Sequence, residues 1–217
     1  MSFFSWLKEE WVALRTVFSG KTIAFIGPMS SGKTVWLSYL YTGNFSDKNR
    51  PTKRKTSISR PTKEARDLID QFGILLTKTE DVSGNIKTQQ DRWENVIQKA
   101  DYVVYLIDSS KILNTSSDRA EYLSHIEDHR RVIKKSTNSA KLFGIVATHP
   151  DLVQGHDKLN DYSNSDIYDS LFSVKELRDL EVHCNSKFRL VVRLDEPDLM
   201  EDASKKLFTE IKQAING

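Results

Sequence analysis

Three short runs of this 217-residue sequence carry side chains that could do chemistry together. The first is Gly27-Pro-Met-Ser-Ser-Gly-Lys-Thr34, spaced G-x-x-x-x-G-K-T. Gly27 and Gly32 permit a tight turn and a close approach of backbone to phosphate. The backbone N–H groups of Ser30, Ser31 and Gly32, with the start of a following helix, can converge on an anion. Lys33 is then placed for β- and γ-phosphates, and the Thr34 hydroxyl for Mg²⁺. The second run is Asp81-Val-Ser-Gly84. A carboxylate at a strand end can hold Mg²⁺ through water, and a glycine three residues on can present its N–H to a γ-phosphate. On its own this pattern is more often a turn. The third is Thr148-His-Pro-Asp151. A carboxylate there can accept from N1–H and N2–H₂ of guanine. Adenine has neither donor, so a buried Asp151 would be left unpaired by it, and sites of that kind reject an analogue by ~10⁴-fold.

These runs need a scaffold that brings them to one edge. Lys21–Gly27 reads as a strand entering the glycine-rich loop, and a helix from Thr34 to about Tyr41 leaves it. Strand-like runs follow at about 64–70 and 73–80, and the second leads into Asp81. A helix is expected near 90–100, a buried strand at Tyr102–Ile107 ending on Asp108, and a helix over about 118–135. Leu142–Ala147 is another buried strand, and it ends on Thr148. A helix over 166–181, a strand over 187–194 and a helix over 199–215 complete the pattern. Short apolar strands alternating with helices predict an α/β fold, a three-layer sandwich with a mostly parallel central sheet. In such a sheet ligands bind at the carboxyl ends of the strands, where all three runs fall. Phe3, Phe4, Leu7, Trp11, Leu14 and Phe18 recur at steps of three or four and predict an extra N-terminal amphipathic helix. The chain therefore divides into that helix, residues 1–20, and a nucleotide-binding domain, residues 21–217.

Composition narrows the function. Lys and Arg number 32 against 30 Asp and Glu, a net charge of +2, which excludes a generally cationic nucleic-acid coat. The charge is unevenly spread. Seven basic residues against Asp47 give residues 44–63 a charge of +6, leaving −4 for the rest. No aromatic interrupts the basic part of this long loop, which disfavours single-stranded nucleic acid and leaves an acidic partner, a phosphoinositide or plain solvation. The lone Cys184 excludes an internal disulfide and fits a reducing, cytoplasmic compartment. No run of 18 apolar residues predicts a spanning helix. His125 and His129 lie four apart on a helix with no third ligand in sight and read as surface residues.

The three runs, in this order and at these distances, resemble the Ras-type small GTPase superfamily. Their spacing is most similar to the Arf-like branch and its relative, the beta subunit of the signal-recognition-particle receptor. Pro61-Thr62 stands before Asp81 as the switch I Pro-Thr does in Arf proteins, and Trp93 follows Gly84 at nearly the distance of the Arf switch II tryptophan. The resemblance spans the whole chain, with its specific part between 21 and 152. It implies GTP and GDP as ligands with Mg²⁺. It gives Thr62 as a switch I ligand to Mg²⁺ and γ-phosphate, Asp81 as a residue holding Mg²⁺ through water, and Gly84 as a backbone sensor of γ-phosphate. It gives Asp151 as the guanine reader, braced by Thr148, with His149 where a lysine chain usually covers the base. It also implies a protein effector or regulator meeting residues 44–63 and 81–95.

Departures from the family pattern modify these expectations. Asn85 stands where the family places its water-positioning glutamine, which predicts slow, partner-assisted hydrolysis, with Lys33, Thr62 and Asn85 as the catalytic set. Met29 occupies a loop position that is small or acidic in many relatives. No Ser-Ala-Lys-like triplet follows the last strand, so the final base-contact loop near Arg193 is undefined. Two further functions stay open: a GTP-bound scaffold that does not turn over, and a P-loop ATPase or nucleotide kinase using Asp108 as its Mg²⁺ carboxylate. The N-terminal helix, residues 3–18, either packs internally or on a partner, or lies peripherally on a membrane.

Overall fold

The computed structural model describes residues 3–42, 75–78, 86–136, 142–153 and 165–216. The basic loop at 44–63, the strand-like run at 64–70 and the Asp81–Gly84 turn lie outside them. Five strands form one sheet: β1 (Thr22–Ile26), β2 (Leu75–Lys78), β3 (Tyr102–Asp108), β4 (Leu142–Thr148) and β5 (Phe188–Val191), in the order β2-β1-β3-β4-β5. Every pair is parallel, with Ile26 opposite Tyr105 and Asp108 opposite Thr148. The helices are α1 (Phe3–Phe18), α2 (Lys33–Thr42), α3 (Ile86–Lys99), α4 (Ser109–Leu113), α5 (Arg119–Ser136), α6 (Ser165–Ser173), α7 (Lys175–Cys184) and α8 (Pro197–Asn216).

Parallel strands covered on both faces must be apolar throughout, and β3 and β4 are buried at every position. Their side chains alternate between two cores. Val104 and Leu106 face Phe18, Trp36, Leu37, Leu207 and Ile211 of α1, α2 and α8. Val103, Tyr105 and Ile107 face Trp93, Ile97, Ile126, Ile133 and Leu180 of the helices on the other side. The strand order turns back on itself at β1, which has β2 on one side and β3 on the other. That switch point opens a crevice at the carboxyl end of β1, directly before Gly27.

Helix α1 is part of the first core. Leu7, Leu14, Val17 and Phe18 are buried, and Phe18 meets Phe208 of α8 at 4.8 Å between ring centroids and the edge of Tyr102 at 5.9 Å. The Tyr102 hydroxyl donates to the Val17 carbonyl. The internal packing left open by the sequence is thus realised, and Leu7 and Phe18 are not available to a membrane. Among the described residues no helix is long and apolar enough to cross one.

Two elements and one side chain differ from expectation. The helix expected at 166–181 is two helices, broken at Val174, whose backbone is extended (φ −68°, ψ 127°). The strand expected at 187–194 stops at Val191, after which the chain turns toward the glycine-rich loop. His129 is half-buried rather than exposed. It falls in phase with the buried stripe Tyr122, Ile126 and Ile133 of α5, so its ring is carried inward. His125, off that stripe, is exposed.

Candidate nucleotide site

Gly27 leaves β1 at φ +144°, and a Cβ there would lie 2.1 Å from the Leu106 carbonyl oxygen. No other residue can make this turn so close to β3. Ser30 and Gly32 also have positive φ, 65° and 81°. A serine held in the left-handed region is uncommon, and such strain clusters where a loop grips a ligand. The loop bends back over its own lysine. Lys33, only 4% exposed, donates to the carbonyls of Gly27 (2.8 Å) and Pro28 (2.6 Å), with the Ser31 hydroxyl at 3.3 Å. These three contacts fix the ammonium inside the loop, at the N-terminus of α2. Ser31 is buried. Thr34 follows Lys33 in the first turn of α2, while Met29 stands out at 58% exposure.

The end of β4 is tied to this loop by one hydroxyl. Thr148 Oγ1 donates to the Ile107 carbonyl at 3.0 Å and lies 3.4 Å from the Ser31 carbonyl. His149 then adopts a left-handed conformation (φ 54°, ψ 42°) and opens a single 3₁₀ turn over Pro150–Leu152. The Leu152 N–H closes the turn on the His149 carbonyl at 3.2 Å, and Asn114 Nδ2 clamps the Leu152 carbonyl at 2.9 Å. Asp151 is held within that turn. Its Oδ1 is buried and has no hydrogen-bond partner. Burial raises its pKa and the charge of Asp195 raises it further, while a hydrogen bond from its own backbone, His149 and Arg193 pull it back. A buried, unpaired carboxylate oxygen is costly, of order 1–3 kcal/mol or more, unless a ligand supplies donors. The guanine edge has the N–H donors that this oxygen lacks, so the residues fit that group.

A third segment closes the pocket. The Val192 N–H donates to the Ala147 carbonyl at 2.9 Å, one residue beyond β5, and aims the chain at the site. Leu194 is buried, with its Cδ1 3.0 Å from where a Gly32 Cβ would be; Thr148 Cγ2 and His149 Nε2 lie 3.7 and 3.9 Å from the same point. Arg193 grips Asp195 through two hydrogen bonds, Nε to Oδ1 at 3.1 Å and Nη2 to Oδ2 at 2.7 Å, with Glu196 3.7 Å away. That hydrogen-bonded pair holds the Asp195 carboxyl below its usual range and raises the Arg193 pKa. The sequence pointed to Arg193 only as the place where a motif was missing. The role of Leu194 rests on a contact with Gly32 across more than 150 residues, and that of Asp195 on Asp151 more than 40 residues away, which no local spacing reveals.

Gly27, Ser30, Ser31, Gly32, Lys33, Thr34, Thr148, His149 and Asp151 thus gather at the carboxyl ends of β1 and β4. Thr62, Asp81, Gly84 and Asn85 lie outside the described residues. Helix α3 begins at Ile86, next to that last group. Its Trp93 stacks on His129 at 4.1 Å between centroids, and His129 Nδ1 shares a 3.0 Å hydrogen bond with the Tyr105 hydroxyl. Asp108, offered by the sequence as an alternative Mg²⁺ carboxylate, caps α4 instead. Its Oδ1 accepts from Ser110 N (3.0 Å), Ser110 Oγ (2.7 Å) and Lys111 N (3.4 Å).

The sequence profile of the signal recognition particle receptor beta subunit matches residues 19–140, a span that holds the glycine-rich loop, β1 to β3 and α5. The chain belongs to that family. The resemblance drawn from the three sequence runs therefore holds. No curated protein matches the chain significantly. Among solved structures, a mutation variant of SsGBP is similar at a TM-score of 0.52 and 16% identity, over 97% of this chain and 62% of that one. The chain spans less than two thirds of that relative's length. A GTP-binding protein from Sulfolobus solfataricus in complex with GDP matches at 0.47 and 16%, over 96% and 57% of the two chains. The receptor complex SRb-GTP/SRX from Chaetomium thermophilum matches at 0.48 and 14%, over 87% and 97%. At such identities the first of these speaks for the fold, and it is the P-loop α/β fold expected of this family.

Proposed function

We propose that this receptor-beta-family chain is a Mg²⁺-dependent GTP-binding switch with slow, partner-assisted hydrolysis. The observation that carries the reading is the buried, unpartnered Oδ1 of Asp151, in the turn that follows Thr148, whose hydroxyl lies 3.4 Å from the Ser31 carbonyl of the phosphate loop. The loop from Gly27 to Gly32 receives the phosphates through backbone N–H groups, and the N-terminus of α2 adds its dipole. Lys33 exchanges its carbonyl contacts for the β- and γ-phosphate oxygens. Thr34 and Thr62, with Asp81 through water, would hold Mg²⁺, which would supply charge neutralisation to the phosphates. Hydrolysis joins a water oxygen to the γ-phosphorus and breaks the bond to the β–γ bridging oxygen, so stabilising the spreading negative charge is the main task. Asn85 is one methylene shorter than glutamine and reaches the attacking water poorly. Unassisted turnover at or below the ~10⁻⁴ s⁻¹ scale follows.

Thr62 and Gly84 transmit the state of the γ-phosphate to residues 44–63 and 81–95, which meet a protein effector or regulator. Residues 1–20 dock onto the nucleotide domain of residues 21–217. The chain works in the cytoplasm, with peripheral membrane contact through the side of residues 3–18 that faces away from the core. Family membership and the capping role of Asp108 weigh against the ATPase reading; the non-hydrolysing scaffold differs only in turnover. The test is a Mg²⁺-dependent titration with fluorescent GTP, competed by GTP, GDP and ATP. Guanine nucleotides should compete at least ~100-fold better than ATP, and Asp151→Ala should abolish the preference. Equal competition by ATP would remove the reading.

A further inference from the structure

The base pocket of this chain carries a charge arrangement that its phosphate loop does not require. Asp151 offers one buried acceptor without a partner, and a second carboxylate, Asp195, stands on the neighbouring loop. Two carboxylates in one half-buried pocket repel, and the cheapest relief is for one to take a proton. A protonated Asp151 presents one acceptor fewer and a hydroxyl facing the base donors. Arg193 stands between these outcomes. It is held to Asp195 in a two-pronged ion pair at 2.7 and 3.1 Å, and the fork geometry spends its charge on Asp195. Leu194, between them in sequence, is buried against Gly32 and fixes the pair's place beside Thr148 and His149.

We propose that Arg193 is a positioning residue for base selection: by pairing with Asp195 it lets Asp151 remain a free carboxylate aimed at the guanine edge. The inference rests on the guanine reading above and deepens it. The charged and titratable groups that act on Asp151 are Asp195, His149 and Arg193. Of these only Arg193 carries a permanent positive charge, so it is the one that sets the balance at neutral pH.

The experiment measures the GDP-to-ADP affinity ratio between pH 5 and 8, by displacement of a fluorescent GDP analogue in excess Mg²⁺. The ratio cancels titration of the phosphates, which the two nucleotides share. Guanine selection should fade as pH falls and Asp151 takes up its proton. In Arg193→Met the midpoint should be displaced upward by about one pH unit, which lowers the ratio by up to about 10-fold at pH values below both midpoints. Adding Asp195→Asn to that variant should return both to near the wild-type values, which a merely structural role for Arg193 would not do. Asp195→Asn alone should move the midpoint down, and it serves as the deciding variant if Arg193→Met is not soluble. An Arg193→Met ratio equal to wild type at every pH, or a double variant no better than the single one, overturns the proposal. A wild-type ratio near one overturns the guanine reading itself, and the wild type alone decides that.

Discussion

Replacing His129 by Gln should flatten the acid sensitivity of the fold. Its imidazole lies between the Trp93 ring and the Tyr105 hydroxyl, and Tyr105 sits in the middle of β3 opposite Ile26. Burial lowers the His129 pKa from 6.5 to about 3, and the positive charges of Lys33 and His125 add to the effect. The unfolded chain takes up a proton on this ring below pH 6.5, and the folded chain does so only near pH 3. Stability is therefore unaffected by His129 above pH 6.5 and is lost progressively as pH falls between those values. At pH 5 the unfolded state gains about 2 kcal/mol from this one group relative to pH 8. For a chain of this size that is about 4–8 °C in melting temperature. Gln keeps an acceptor for Tyr105 but has nothing to titrate. The comparison is the change in unfolding free energy between pH 8 and pH 5, from urea titrations of wild type and His129→Gln. Other titrating groups appear in both and cancel. The variant should lose about 2 kcal/mol less over that interval, whatever its absolute stability. Equal pH slopes would mean that the ring is not held neutral, and the docking of α3 on α5 through Trp93 would need another account.

Three further outcomes follow from the same geometry. Gly27→Ala places a methyl group 2.1 Å from the Leu106 carbonyl, so it should abolish nucleotide binding and lower the melting temperature, measured by thermal scans with and without GDP. Phe18→Ala, which empties a site between Tyr102 and Phe208, should cost about 3–5 kcal/mol in urea unfolding while leaving the GDP-to-ADP ratio unchanged. Asn85→Gln should raise single-turnover GTP hydrolysis by about 10-fold or more without changing GTP affinity; an unchanged rate would show that Asn85 does not stand where the family's glutamine does.

The central strands β3 and β4 were legible because burial on both faces leaves no charged position before their last residue. Tyr102–Ile107 and Leu142–Ala147 read as continuous apolar runs, and both are strands. The break at Val174 was hidden for the same kind of reason. Ile167 and Leu171 of α6 and Leu177 and Leu180 of α7 continue one helical stripe across the break, so hydrophobic spacing gives no sign that the backbone opens there. His129 misled in the opposite direction. Its type suggests a surface, but its phase with Ile126 and Ile133 turns it toward the core, where it is half-buried, and phase outweighs residue type once partners such as Tyr105 satisfy the ring. In the site, Gly27 to Thr34 announced itself because its chemistry is local. The Arg193–Asp195 pair did not, because its meaning depends on Asp151, more than 40 residues away, and on the seat of Leu194 against Gly32, about 160 residues away.

That distance has a consequence for how the site can change. Gly32 is where its three segments meet: Leu194, Thr148 and His149 all lie within 4 Å of where a Cβ would stand. The hydroxyl of Thr148 lies against the carbonyl of Ser31, one residue earlier. Phosphate grip and base selection are therefore built on shared contacts, and a close-packed junction does not deform continuously. A shift of the glycine-rich loop that improves the fit to phosphate must move Leu194, and with it the charge pair that attends Asp151. A substitution at Gly32 should for that reason lower nucleotide affinity and guanine preference together, whereas substitutions at Arg193 or Asp195 change the preference and leave the phosphate contribution, read from ADP binding, in place.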